Sequence, residues 1–135
     1  KKKFLRSEAR RVVKIYRDAT GRKEFELEEV KNFLTLWKLK LENETMITNT
    51  IEHQYFMDQG LLIITQQDNT FAEKFYNEFK KSFNYSAPYY SESTVEQIRN
   101  LKIVLQRKFP DSIEELNEME AHMLSANDAY KKENE

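Results

Sequence analysis

The sequence predicts a mainly α fold, a compact bundle of five or six helices, on three observations. The 135 residues include only two Gly and two Pro, whereas an all-β chain needs many turn residues. Apolar residues recur every three or four positions in six segments, which is the spacing of one helix face. Four segments open with a capping box, in which an N-cap side chain is followed three positions later by an acidic one. These boxes are Asn49/Glu52, Thr70/Glu73, Ser93/Glu96 and Asp111/Glu114.

The first helix is expected over about residues 4–19 and the second over about 26–42. Gly21 stands just past the first helix, where a left-handed C′ residue is wanted. The apolar stripe of the second helix follows alternating steps of three and four, as in a coiled-coil seam. The two stripes are Leu5, Ala9, Val12, Val13 and Tyr16, and Leu27, Val30, Leu34, Trp37 and Leu41.

The third helix is expected from Asn49 to near Gly60, and the fourth from Thr70. In the fourth, Phe recurs every four residues from Phe71 to Phe83, so the rings cover one face. We expect these rings to be core, since each buries about 150 Å² or more; a groove for a partner helix is the alternative. The fifth helix ends before Pro110. The stripes of the last two helices are Val95, Ile98, Leu101, Leu105 and Phe109, and Ile113, Leu116, Met119, Met123 and Tyr130.

The stretch between Gly60 and Thr70 fits a helix least well. Residues 61–65 include three β-branched side chains, and the polar run Gln66-Gln67-Asp68-Asn69 follows them. A short buried strand before a turn has this pattern. We therefore expect an extended segment at 61–65, with a β-hairpin over 61–71 as one form of it.

The order of these elements resembles that of winged helix-turn-helix domains over residues 25–71, in "ELEEVKNFL" (26–34), "TIEHQYFMDQGLLI" (50–63) and "NTF" (69–71). A winged-helix-like core is thus the alternative to a plain bundle. The resemblance implies a recognition helix that exposes Asn49, Thr50, His53 and Gln54, and side chains of Asn and Gln can pair with adenine. However, no Lys or Arg occurs in the 31 residues between Glu42 and Lys74. Phosphate contacts supply most non-specific affinity, so this helix alone is a poor duplex reader.

Length and composition indicate a single helical domain over residues 1–135, cut from a longer protein because the chain begins Lys1-Lys2-Lys3 without Met. The chain has no cysteine, which excludes disulfides and zinc–thiolate sites and suits an intracellular location, cytoplasmic or nuclear. The longest apolar run, residues 61–64, is far shorter than the roughly 18 residues of a membrane span. No membrane partner is expected.

Charge is distributed unevenly along a chain whose net charge is −1. Residues 1–23 hold ten Lys and Arg against two acidic residues, and residues 110–135 hold eight Asp and Glu against two Lys. A basic helix that neutralises several phosphates would bind nucleic acid in a salt-dependent way; the alternative is a solvated face, or one paired with the acidic end. The candidate nucleic-acid contacts are Lys2, Lys3, Arg6, Arg10, Arg11, Lys14 and Arg17.

Candidate contacts to a protein partner lie in the second half of the chain. The longest non-helical linker, residues 84–93, concentrates tyrosines in a loop, where binding residues tend to lie. The sixth helix carries a Met-rich stripe, and such surfaces adapt to varied partners. The candidate partner contacts are Tyr85, Tyr89, Tyr90, Leu116, Met119 and Met123.

Nothing in the sequence indicates catalysis, a cofactor, a metal or a small-molecule substrate. His53 and His122 lie on different helices without a metal-binding or triad pattern, and two Gly cannot build a phosphate loop. We therefore expect a non-enzymatic protein–protein interaction module that acts as a subunit or assembly domain of an intracellular complex, through another protein or self-association. A nucleic-acid-associated subunit that uses the basic first helix is the alternative.

Overall fold

The computed structural model describes residues 1–21 and 25–135, and over those residues the only regular secondary structure is six α-helices. This confirms the predicted mainly α fold. Their bounds are α1 Lys2–Thr20, α2 Leu27–Asn43, α3 Thr50–Gln67, α4 Asn69–Ser82, α5 Glu92–Lys108 and α6 Ser112–Glu133.

The chain divides into two compact units, Lys1–Tyr76 and Asn77–Glu135. The first contains α1, α2, α3 and the first half of α4, and the second contains the rest of α4 with α5 and α6. Each unit is described by itself. The prediction of one domain over residues 1–135 stays a prediction.

The core of the first unit lies where α1 and α2 pack against α3 and against each other. The five predicted stripe residues of α1 are buried. So are those of α2, except for Trp37, which is half-buried and donates its indole N–H to Glu8, 3.2 Å away. Gly21 ends α1 as predicted, with φ 61° and its N–H donating to the carbonyl of Arg17 at 2.9 Å.

The core of the second unit lies between α5 and α6, which pack against each other. The predicted residues of α5 are buried up to Leu105, and Leu116, Met119 and Met123 of α6 are almost fully buried. Beside this core the Glu120 carboxylate accepts from Lys102 at 2.8 Å and from Arg99 at 2.9 Å. These hydrogen bonds, Lys102 first, hold the pKa of Glu120 below its ordinary value.

The extended segment predicted at 61–65, with its hairpin over 61–71, is wrong. Helix α3 continues through Gly60 to Gln67, and α4 begins at Asn69. Apart from Ile63, which is half-buried, the side chains from Leu61 to Thr65 are buried. A helix buried on most sides shows no polar–apolar alternation of period 3.6, so its sequence resembles that of a buried strand. Without a wing, the winged-helix-like alternative also fails for residues 25–71.

Two predicted helix starts are displaced by two residues. The Asp68 carboxylate, rather than Thr70, accepts from the N–H of Phe71 at the start of α4, at 3.2 Å. Ser91, rather than Ser93, accepts from the N–H of Thr94 at the start of α5, at 3.3 Å. In both cases two residues that can cap a helix lie two positions apart, Asp68 and Thr70 or Ser91 and Ser93. Sequence spacing alone does not show which of the two is the N-cap.

The other two predicted helix starts lie in the right place. Asn49 accepts from the N–H of Glu52 at 2.9 Å, whereas Asp111 makes no side-chain cap bond. The Glu52 carboxylate reaches back to Thr48, one residue before the cap, and accepts from its N–H at 2.9 Å. This backbone hydrogen bond is the main cause that lowers the pKa of Glu52.

Candidate binding surfaces

One side of α1 carries five basic side chains, here called the basic face. At 100° per residue they fall within an arc of about 80°, and at 1.5 Å per residue they extend over about 21 Å. All five are exposed, because the apolar stripe from Leu5 to Tyr16, which faces the core, occupies a separate arc of α1. The basic face consists of Lys3, Arg6, Arg10, Lys14 and Arg17.

None of these five residues forms an ion pair within residues 1–21 and 25–135. Arg17 lies over the ring of Phe25, 5.6 Å from its centroid. Two salt bridges are formed by other residues of this region. Lys1, which precedes α1, lies 3.2 Å from Glu52, and Arg11 lies 3.7 Å from Glu8. Among the described residues, no salt bridge therefore neutralises the basic face.

The two other predicted nucleic-acid contacts, Lys2 and Arg11, lie outside the basic face. Lys2 stands over the ring of Tyr55, 5.4 Å from its centroid. Arg11 stands over the ring of Trp37 at 5.7 Å and is paired with Glu8. Both are exposed, but each is engaged within its own unit. Arg22 and Lys23, which the charge count includes, lie outside the described residues.

The residues of the proposed recognition helix divide into two pairs. Asn49 and Thr50 are exposed. The side-chain oxygen of Asn49, however, caps α3 by accepting from the N–H of Glu52. His53 is half-buried with its Nε2 3.4 Å from Glu42, and Gln54 donates to the buried carboxylate of Asp58 at 2.8 Å. The side chains of Asn49, His53 and Gln54 are thus engaged in contacts within the first unit.

The predicted partner contacts also separate by burial. Leu116, Met119 and Met123 have almost no exposed area, and Tyr90 is buried. The prediction that they form a contact surface is thus corrected, because their side chains pack inside the second unit. Tyr85 and Tyr89 are 51% and 48% exposed. Whether they contact a partner stays a prediction.

A third exposed ring joins these two. Tyr130, predicted as core, is 41% exposed, because α6 runs well past Met123, its last buried residue. Tyr130 lies beside Tyr89, with ring centroids 5.1 Å apart, and Tyr85 lies beside His122 at 5.2 Å. Tyr85, Tyr89 and Tyr130 are here called the aromatic surface. The exposure of Tyr130, seven residues after Met123, could have been suspected only from the thinning of apolar residues after Leu124.

The backbone below the aromatic surface is fixed to α6. Asn127 accepts from the N–H of Tyr90 at 2.7 Å and donates to its carbonyl at 2.9 Å. The Tyr90 hydroxyl donates to the carbonyl of Asn84. His122 Nε2 donates to the carbonyl of Tyr85 at 2.7 Å. The linker is therefore held at both ends, and its exposed tyrosines project from an ordered backbone.

Carboxylates lie near one end of the aromatic surface. Burial raises the pKa of Tyr85, and the negative charges of Glu115 and Glu118 raise it further. Glu115 is also 3.8 Å from Lys80, whereas Glu118 is exposed. A cation placed on the ring of Tyr85 would thus meet negative charge beside it.

The second helix exposes two leucines that the sequence analysis did not single out. Leu36 is 66% and Leu39 47% exposed, and residues three apart share a helix face. The heptad-like seam drew attention to the opposite, buried face, whereas a search for apolar residues off the seam would have found both.

Within the described residues, no group of three or more His, Asp and Glu side chains is placed to hold a metal ion. Nor does any described helix combine the length and apolar character that crossing a membrane requires. Comparison of the chain with protein-family models, with curated proteins and with solved structures finds no match.

Proposed function

We propose that this chain is a non-catalytic interaction module of an intracellular complex, and that it binds the phosphate backbone of nucleic acid through its basic face. The single observation that carries the proposal is that five exposed cations share one side of α1 without an ion pair among the described residues. Cations that have no carboxylate partner do not lose an ion pair when they bind a phosphate. The proposal therefore ranks nucleic acid above a protein partner.

The spacing of the basic face supports this partner. Successive cations are three or four residues apart, which is about 4.5 to 6 Å along the axis of α1. Successive phosphates on one strand of B-DNA are about 3.4 Å apart along the axis of the duplex. A row of about 21 Å can therefore neutralise several phosphates without distortion of the helix. No base-reading group is part of the proposal, so binding is expected to be largely independent of sequence.

The proposal is tested by fluorescence anisotropy of a labelled mixed-sequence duplex at roughly 50 and 200 mM salt. With five phosphate contacts, the affinity should fall about 500-fold across this interval; with two contacts it should fall about 12-fold. The first value is expected for the wild type and the second for Arg6→Gln/Arg10→Gln/Lys14→Gln. Gln has nearly the helix propensity of Arg and Lys, so the helix should persist.

A matched control removes three exposed cations from the second unit, in Lys81→Gln/Arg107→Gln/Lys132→Gln. It changes the net charge equally and should retain the salt dependence of the wild type. The proposal fails if the wild type does not bind at the lower salt, or if both triple variants have the same salt dependence.

Binding to another protein through α2 is the second candidate, favoured by the exposure of Leu36 and Leu39. Exposed apolar side chains on one helix face are typical of helix-in-groove contacts. Sedimentation of the wild type and of Leu36→Gln/Leu39→Gln tests one form of it, self-association. A sedimentation coefficient that rises with concentration in the wild type, but not in the double variant, would support this candidate. A wild type that stays monomeric at all concentrations would contradict self-association.

A further inference from the structure

The aromatic surface of the second unit has the features of a binding site that is independent of the basic face. Tyr85 and Tyr89 project from a linker whose backbone is held by His122 and Asn127. Rigid aromatic side chains offer contact area at a low cost in conformational entropy. Because the backbone is already ordered, a partner would not have to order it on binding.

The two ends of this surface are separated along α6. Tyr85 lies beside His122, and Tyr89 lies beside Tyr130. His122 and Tyr130 are eight residues apart, or about 12 Å along the helix axis. In an extended peptide, that distance corresponds to about four residues.

Each end combines a ring with negative charge. At the first end, Glu118 is exposed and precedes His122, whose ring lies beside that of Tyr85, by four residues, so it shares that side of α6. At the second, Glu133 follows Tyr130 by three residues and so shares its side of α6. A guanidinium group is attracted by the face of an aromatic ring and by a carboxylate at the same time. An apolar partner would gain nothing from the carboxylates, so the surface is complementary to a cation.

We propose that the aromatic surface binds an extended basic segment of another protein, one that carries two arginines about four residues apart. One guanidinium lies on Tyr85 beside Glu118. The other lies on the pair Tyr89 and Tyr130 beside Glu133. This site goes beyond the binding of nucleic acid, and it uses neither the basic face nor any residue of the first unit.

The test is anisotropy of a labelled 12-residue Gly/Ser peptide that contains two arginines four positions apart, titrated with the full chain. Tyr89→Ala should weaken binding about fivefold, which is the range of a cation–π contact at an exposed site. Glu118→Gln should weaken it about two- to threefold. Tyr89 is half exposed and the variant's circular dichroism should match the wild type, so a loss of binding will not reflect unfolding.

Three comparisons make the result decisive. A peptide with lysine in place of arginine should bind several times more weakly, since lysine lacks a planar group that stacks on a ring. Met46→Ala, which removes an exposed apolar side chain from the first unit, should bind like the wild type. So should Arg6→Gln/Arg10→Gln/Lys14→Gln, which separates this site from the proposed nucleic-acid surface.

The proposal is overturned if the arginine peptide does not bind saturably at about 50 mM salt, or if Tyr89→Ala binds it as tightly as Met46→Ala. It is also overturned if the lysine peptide binds equally well, because charge alone would then explain the affinity. Tighter binding of a peptide with leucine in place of arginine would assign the surface to an apolar partner instead.

Discussion

Gly60 of α3 lies directly against the side chain of Leu34 on α2. A Cβ atom added at Gly60 would lie 2.5 Å from Leu34 Cδ2 and 2.8 Å from Cδ1. Leu34 is 1% exposed and so has little room to move away. The glycine therefore serves close packing of two helices, and its backbone angles are those of the surrounding helix.

Gly60→Ala is expected to destabilise the protein by about 1–2 kcal/mol. Overpacking of a core costs about 1–3 kcal/mol, and the better helix propensity of Ala returns about 0.5–1 kcal/mol. Urea denaturation followed by circular dichroism measures the difference. A stabilised variant would show that Leu34 adopts another rotamer at little cost.

The same contact predicts the sign of a coupling. In a Leu34→Ala background the three atoms nearest to the added Cβ are gone, so Gly60→Ala should stabilise by about 0.5–1 kcal/mol. The reversal of sign between the two backgrounds distinguishes a direct clash from a general effect of glycine in a helix. If Gly60→Ala costs the same in both, the clash with Leu34 is not its cause.

Ser91 and Ser93 provide a matched pair of variants at the start of α5. Ser91→Ala removes the side-chain acceptor of the Thr94 N–H and should cost about 0.5–1 kcal/mol. Ser93→Ala removes no backbone cap and should remain within about 0.5 kcal/mol of the wild type. Thermal or urea unfolding measures both, and the reverse order would favour the capping box predicted from the sequence.

Asp68 binds two backbone N–H groups with its two carboxylate oxygens, Phe25 at 3.3 Å and Phe71 at 3.2 Å. Asp68→Ala removes both acceptors and should destabilise by about 1–2 kcal/mol. Asp68→Asn keeps one acceptor oxygen and should cost about half as much. Glu73→Ala is the control, since Glu73 is exposed and takes no part in this cap. Equal stabilities of the three variants would contradict the role of Asp68.

The helices with one buried side could be predicted from the sequence, and the one buried on most sides could not. The stripe of α1 was predicted residue by residue, because a helix between core and solvent alternates with a period of 3.6. Residues 61–65 of α3 are buried in the first unit except for the half-buried Ile63, so no fully exposed side imposes that period. Gly60 was interpreted as a helix end, since a glycine at a helix end and one at a helix contact have the same sequence signature.

The candidate surfaces also divide into a part that the sequence predicts and a part that it does not. The basic face could be predicted because steps of three and four residues place side chains together locally. That Tyr90 turns inward and Tyr89 outward depends on Asn127, which is 37 residues away. Likewise, Arg11 is engaged by Trp37 of another helix. Contacts over such separations are set by the packing of helices, which local spacing does not report.

Glu120 gives the protein a predicted loss of stability in acid. The hydrogen bonds from Lys102 and Arg99 lower its pKa in the folded state below the ordinary value of 4.5. A lowered pKa contributes stability that is fully present above the pKa of the unfolded chain and is lost as the pH falls through that of the folded protein. Glu120→Gln removes the charge, so it should cost about 0.5–1 kcal/mol at pH 7, a small value because Arg99 is more than half exposed.

The difference between wild type and Glu120→Gln should shrink as the pH is lowered from about 5 to about 3 and the wild-type carboxylate becomes protonated. Urea denaturation at a series of pH values measures this difference. Glu118→Gln, an exposed site on the same helix, controls for the loss of one negative charge. If the cost of Glu120→Gln stays constant over this range, the side chain stabilises the second unit through packing and neutral hydrogen bonds. Its charge interactions with Lys102 and Arg99 then contribute nothing.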